Sequence, residues 1–173
     1  MSPTDIKIIK PKQLTKDSFL RFGDVIEAND QVKKYSINDG HTQRYHDLAK
    51  IDVTNDDGKA LVNIFRSNPL ELPIILQSME RHPLSSQAFM PLGNEPYLVV
   101  VAPAGEFNES AIEVFISTAS QGVNYHTGTW HHYCLALNNV SDFVVIDRGG
   151  RGENCDIVNL NSPIQIDLSE IIQ

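Results

Sequence analysis

The chain has 173 residues, 22 acidic against 14 basic side chains, and a formal charge of −8 at neutral pH. With no cluster of Lys and Arg, that balance excludes nucleic acid as a partner, because phosphate backbones select grouped cations. The length suits a single domain over 1–173, which can bury about 70% of the surface its unfolded chain exposes and needs neither disulfides nor a structural metal.

Met1–Lys12 mixes charges with apolar residues and lacks the continuous apolar run of a secretory leader. No later window reaches the roughly eighteen apolar residues of a membrane span, so a cytoplasmic protein without a membrane partner is expected. Thr15 to Phe22 reads as a short helix, with Thr15 as its cap and Phe19, Leu20 and Phe22 facing a sheet. Strands follow at Asp24–Ile26, Leu61–Phe65, Ile74–Met79, Tyr97–Val101, Ile112–Ile116, His131–Leu137 and Phe143–Ile146. Turn chemistry separates them, as at Asn55-Asp56-Asp57-Gly58, Gly93-Asn94-Glu95-Pro96, Pro103-Ala104-Gly105 and Asn138-Asn139. A strand-like stretch after Asp39-Gly40 holds Arg44-Tyr45-His46-Asp47, and Gln87, beyond Pro83, falls on a further strand. The spacing predicts an all-β sandwich or closed barrel with small helical additions. Cys134 and Cys155 are too few for a disulfide framework and lack C-x-x-C spacing, so free thiols are expected.

Three polar groups stand out on this frame. If Ile74 to His82 is extended, Glu80 and His82 share one face, and Gln87 can join them from the next strand. An acid and an imidazole two apart also occur on exposed strands, so spacing alone leaves both readings open. His126, His131 and His132 make up half of the chain's six histidines. Alternation puts Trp130, His132, Cys134 and Ala136 on one face of the strand and His131, Tyr133, Leu135 and Leu137 on the other. The first is taken as the pocket face because its small residues leave room, although the second is a credible core face. A histidine beside a tryptophan also serves as a hydrogen-bonded core residue. Three together favour a site, since imidazole transfers protons near neutral pH. The scattered arginines suit point recognition of a carboxylate, though Arg44 also reads as a salt-bridged edge and Arg148 as part of a turn into Gly149-Gly150.

Arg44-Tyr45-His46-Asp47-Leu48-Ala49 and Glu80-Arg81-His82-Pro83-Leu84, the latter with Gln87-Ala88-Phe89, are followed by Gln121-Gly122-Val123-Asn124-Tyr125-His126. Trp130-His131-His132 and then Asp142-Phe143 with Ile146-Asp147-Arg148-Gly149-Gly150 complete the series. With these five motifs in order, nearly the whole chain resembles the ureidoglycolate lyase family of allantoin degradation, once called ureidoglycolate hydrolase. The resemblance implies a cupin-like jelly-roll β-barrel with short peripheral helices, usually a homodimer, that splits ureidoglycolate into glyoxylate and urea. For that reaction the base and acid are expected within the set Glu80, His82, His126 and His132, with no role assigned to each, and Arg66, Arg148 or Arg44 would clamp the carboxylate, with Gln87, Tyr125 and Trp130 as further substrate contacts. The resemblance also places the cupin ligand positions at Glu80, His82, Gln87 and His126, in a family associated with divalent ions such as nickel. Gln87 stands where cupins usually carry glutamate and Glu80 where they carry the first histidine, and a neutral amide is a poor ligand, so a metal is left open. Replacement of His126 by Ala is expected to lower turnover by about 10²-fold, the scale of a positioned acid or base. An amidohydrolase releasing ammonia and carbon dioxide, or a non-catalytic small-anion sensor, would suit the same fold.

Overall fold

The computed structural model describes residues 6–171. The reading of Met1–Lys12 as free of a leader lies partly outside them. Thr15 caps helix α1 (Lys16–Phe19) in a reciprocal box: its hydroxyl accepts the Ser18 N–H and its own N–H donates to Ser18 Oγ, both at 3.1 Å. The helix stops at Phe19, three residues earlier than expected; Phe19 and Phe22 are buried, whereas Leu20 is exposed.

The remaining described elements are strands and three single-turn 3-10 segments. Strands β1 (Lys7–Ile9), β2 (Lys12–Gln13), β7 (Ile75–Arg81), β9 (Tyr97–Ala102), β10 (Glu113–Ile116), β12 (Trp130–His131) and β15 (Asp156–Ile166) form a large sheet in the order β1-β15-β7-β12-β9-β10-β2, and β13 (Leu135–Ala136) also pairs with β9. Strands β3 (Gly23–Ile26), β6 (Lys59–Ser67), β8 (Gln87–Pro91), β11 (Gly122–Tyr125) and β14 (Ser141–Gly149) form a second sheet in the order β3-β11-β8-β14-β6. A hairpin of β4 (Lys34–Ile37) and β5 (Thr42–Tyr45) pairs only with itself. The result is the expected cupin-like, almost wholly β barrel, and both cysteines are free. No helix among the described residues is long and apolar enough to cross a membrane.

Two cores explain the apolar runs. Phe19, Phe22, Phe89, Tyr97, Val99, Val101, Phe115, Val123 and Phe143 fill the space between the sheets. On the other face of the large sheet, Leu76, Met79, Leu98, Val100, Trp130, Leu135, Ile164 and Ile166 form a second core. Every residue of β9 is therefore buried, because successive side chains serve alternate cores. Strand β15 escaped sequence prediction because Asn159, Asn161, Ser162 and Pro163 interrupt its apolar pattern, and its pairing with β7 shifts register between Asn159 and Ile164.

The expected strand His131–Leu137 is two pieces, since β12 ends at His131 and β13 begins at Leu135. The break resets the alternation. Trp130 and Leu135 join the second core, while His131 stacks on Tyr125 and Cys134 packs against the core between the sheets. The face grouping Trp130 with His132 and Cys134 is thus corrected: it assumed an unbroken strand.

Candidate active site

Glu80 sits near the end of β7, in register with His131 on β12. Its neighbour Arg81 turns to the other face, where Nε donates to Asp156 at 2.8 Å and the guanidinium lies 4.6 Å from the Trp130 ring centre. Glu80 Oε1 faces His131 Nε2 at 3.5 Å, an electrostatic contact too long for a good hydrogen bond, and Oε2 faces Cys155 Sγ at 3.8 Å. The His82 ring lies 5.1 Å from the His131 ring, and donor atoms of Glu80, His82 and His131 all fall within 4.8 Å of one another.

Both imidazoles are held from behind. His82 Nδ1 meets the Asn154 carbonyl at 2.6 Å, and His131 Nδ1 meets the Thr129 carbonyl at 3.0 Å. A proton on each Nδ1 satisfies those oxygens, and His131 then presents Nε2 to the Glu80 carboxylate. His82 Nε2 also meets Gln87 Oε1 at 3.1 Å, whereas the buried His131 Nε2 has no hydrogen-bond partner among the described residues. Tyr125 lies flat against His131, with centroids 4.3 Å apart and planes 8° apart, and so fixes the ring.

The contact with His131 holds the Glu80 carboxyl below the ordinary carboxylate range against the opposing effect of burial, with smaller pulls from His82 and His132. Burial lowers the His132 imidazole below its usual value, and its Nδ1 lies 3.1 Å from the Tyr133 carbonyl. Burial also pushes the Tyr125 hydroxyl well up.

His82, Gln87, Asp147, Arg148, Asn154 and Cys155 border a hollow of about 270 Å³ at this end of the barrel. Arg148 is buried at its edge: Nε donates to the Asn55 carbonyl at 3.0 Å, and Nη2 donates to the carbonyls of Asn55, Asp56 and Arg151 at 2.8, 3.2 and 2.9 Å. Nη1 takes part in none of these bonds. Asp147 accepts from Asn63 Nδ2 at 2.9 Å.

The other sequence candidates lie elsewhere. His126 is not brought to Glu80 and His82; its Nε2 meets Asp24 Oδ2 at 3.0 Å, and Asp24 also accepts from Asn124 and the Lys50 N–H. Burial opposes ionisation of Asp24, but these bonds together hold its carboxyl below the usual range. Asp24 borders a different hollow, of about 450 Å³, with Lys16, Lys33, His46 and Lys50. Trp130 lies in the second core, its Nε1 donating to Gly105 at 3.1 Å. Arg66 forms a two-pronged pair with Asp142, at 2.8 and 2.9 Å, on the surface. Asp142 is six positions from Arg148 along β14, a span of ~20 Å. Arg44 stands exposed on the hairpin. His131, Cys155 and Asn154 were absent from the sequence-derived set. The parity break concealed the first, and no local pattern marks the other two.

The sequence profile of the ureidoglycolate lyase family matches residues 6–167. The chain belongs to that family. A ureidoglycolate lyase of Burkholderia mallei is 52% identical over 155 residues, which cover 90% of this chain and 91% of the relative. Ureidoglycolate lyases of Burkholderia cepacia and Pseudomonas syringae pv. tomato are each 50% identical, over 154 and 144 residues, covering 88% and 83% of this chain and 86% and 84% of the relatives.

For this member of the ureidoglycolate lyase family, the donor set fits a divalent ion. Two imidazoles whose Nδ1 atoms meet backbone carbonyls match the usual outer arrangement of metal-binding histidines. His131 Nε2 has no hydrogen-bond partner among the described residues, and in the tautomer with the proton on Nδ1 it would offer a lone pair to an ion. Of the four ligand positions implied by the sequence, Glu80 and His82 belong to this set, Gln87 borders it, and His126 is outside it.

Proposed function

We propose that this chain is a ureidoglycolate lyase of allantoin degradation, cleaving ureidoglycolate to glyoxylate and urea. The observation that carries the reading is the convergence of Glu80, His82 and His131 beside a small hollow edged by Arg148, in a chain half identical to proteins of that name. Ureidoglycolate bears a hydroxyl and a urea nitrogen on one carbon. Cleavage moves the hydroxyl proton to a base, forms the aldehyde C=O as the C–N bond breaks, and gives a proton to the departing nitrogen. No water is consumed.

Glu80, beside His82 and held ionised, is the proposed acceptor of the hydroxyl proton. His82 borders the hollow, with Nδ1 on the Asn154 carbonyl and Nε2 beside Gln87, and is the proposed donor of the proton to the departing nitrogen. Arg148 Nη1 is the candidate hold for the substrate carboxylate, and Tyr125 positions His131 rather than contacting the substrate. His126 acts through Asp24 on the packing of β3 and β11, and His132 stays neutral behind the cluster.

A second form of the reading is favoured by the unpartnered His131 Nε2. If the Gln87 side chain swings away from His82 Nε2, both imidazoles offer lone pairs, and Glu80, His82 and His131 would hold a divalent ion, for which nickel is suited. Such an ion supplies positive charge that stabilises a developing oxyanion. Arg148 then still holds the carboxylate, and Asp147 and Glu153 are the carboxylates bordering the hollow that are left to move a proton.

The test is an assay of glyoxylate, urea and ammonia on purified protein incubated with ureidoglycolate, with and without exhaustive chelation. Glyoxylate with urea is expected. Ammonia in place of urea would make it an amidohydrolase, and the absence of glyoxylate would leave a binding protein. A rate unchanged by chelation would remove the metal-bearing form.

The protein is further proposed to be cytoplasmic and to work as a homodimer. Tyr35, Ile37 and Tyr45 are exposed on a hairpin that, among the described residues, pairs only with itself, and two-stranded hairpins are marginal alone in water. A second copy is the proposed cover.

A further inference from the structure

Resting on the lyase reading of the site, we infer that Asp147 recognises the ureido group of the substrate. Its carboxylate accepts the two N–H bonds on one edge of that group while Arg148 Nη1 holds the substrate carboxylate. Two consecutive residues of β14 then read the two ends of the ligand, and the site selects ureido acids over plain hydroxy acids.

Strand β14 brings Asp147 to the inside of the barrel. Alternation sends Phe143 and Val145 into the core between the sheets, and Asp147 is the next residue on that face. Val145 pairs with Phe89 and Ile146 with Ala88, so the same register carried one residue further sets Asp147 opposite Gln87, which in turn pairs with Tyr125. Asp147, Gln87 and Tyr125 thus form one layer on the inner face of the second sheet, next to the layer of Val145, Phe89 and Val123 that belongs to the core or borders it. Tyr125 lies flat against His131 and Gln87 meets His82, so this layer adjoins the cluster around Glu80.

A carboxylate on an inward face is costly to desolvate unless a partner compensates it. Here the partner is a neutral amide: Asn63, in register with Val145, donates from Nδ2 to Asp147 Oδ1 at 2.9 Å and aims the group. Among the described residues Oδ2 accepts no hydrogen bond and no cation pairs with Asp147. Arg148, the next residue, directs Nε and Nη2 to backbone carbonyls instead. Both charged groups border the hollow, each anchored by neutral partners and each with an atom free for a ligand. Glu153 borders the same hollow, but it is exposed and no bond among the described residues fixes it.

Such a hollow suits a bipolar ligand with a carboxylate at one end and paired N–H donors at the other. A ureido group presents two parallel N–H bonds, which a carboxylate accepts together. Glycolate lacks them and would leave Asp147 desolvated without a partner, the condition under which a polar site rejects a ligand most strongly.

Calorimetric titration of the full-length protein compares two probes. N-carbamoylglycine has the carboxylate and the ureido group but no hydroxyl to react, whereas glycolate has the carboxylate and the hydroxyl but no ureido group. Wild type is expected to bind N-carbamoylglycine the more tightly. In Asp147→Asn that affinity should fall by about 10- to 100-fold, the loss of a hydrogen bond to a charged group, while glycolate affinity holds. Asn63→Ala keeps the carboxylate but removes its anchor, and should show a smaller loss confined to the same ligand. Equal weakening of both ligands would make Asp147 a structural part of the barrel, and unchanged N-carbamoylglycine affinity in Asp147→Asn would remove it from the site; either overturns the inference. Should Asp147→Asn fail to fold, Asn63→Ala decides by the same comparison. Glyoxylate and urea formed by a wild type that binds the two probes alike would leave the lyase reading standing and end this inference alone.

Discussion

Glu80 carries the most chemistry of any residue in the barrel, because one carboxylate faces an unpartnered imidazole on one side and a thiol on the other. Glu80→Gln keeps the shape and removes the charge, and kcat is expected to fall by about 10²-fold or more, the scale of a positioned acid or base. The same charge shapes acid stability. A carboxyl whose folded pKa lies below its unfolded value contributes stability above the unfolded value, 4.5, and loses it as pH falls through the folded one. His132 works in the same direction: its pKa is lowered by burial, so stability declines as pH drops below the unfolded value of 6.5. The urea midpoint should therefore fall in two stages on acidification, and Glu80→Gln should shrink the stage below 4.5, which Asp24 shares, while keeping the upper one. His131→Ala is expected to lower kcat as far as His82→Ala does, whereas His126→Ala should act more through stability. Full turnover in His131→Ala would remove that ring from the site.

Elements matter here through where they break. Alternation within β12 lets Trp130 anchor the second core while His131 faces Glu80 and His82, and the three-residue gap that follows brings Leu135 back to that core. Trp130→Ala should destabilise by about 3–5 kcal/mol, as large core truncations do, with a lowered urea midpoint and little change in KM. The turn leading into β6 is equally constrained. A Cβ on Gly58 would run into the Val53 carbonyl and the Arg148 guanidinium, so Gly58→Ala should dislodge Arg148 from the carbonyls of Asn55 and Asp56. The expected result is a raised KM with a smaller effect on kcat, since a carboxylate hold acts on binding. An unchanged KM would argue against Arg148 as that hold.

At the scale of the whole molecule, the two cores share β9 and the second sheet closes one of them, leaving the hairpin outside both. Replacing Tyr35 and Ile37 together by Lys should convert a dimer to a monomer in sedimentation velocity without unfolding the barrel. A wild-type protein that sediments as a monomer at assay concentration would sink the dimer proposal. Dissociation that leaves kcat unchanged would show that each copy holds a complete site.

Periodicity and turn chemistry were enough, read along the chain, for the all-β class, the Thr15 cap and most of the strands, because alternation and turn preferences act over a few residues. The Glu80–His82 side of the site was legible for the same reason, being two positions of one strand and its immediate extension. The sequence alone could not decide that His131 rather than His126 or His132 would join them, nor that Asn154 and Cys155 would close the cluster from some seventy positions away. Those outcomes depend on where a strand stops and how two sheets curl together. Such features arise from packing between distant residues and leave no local mark on the chain.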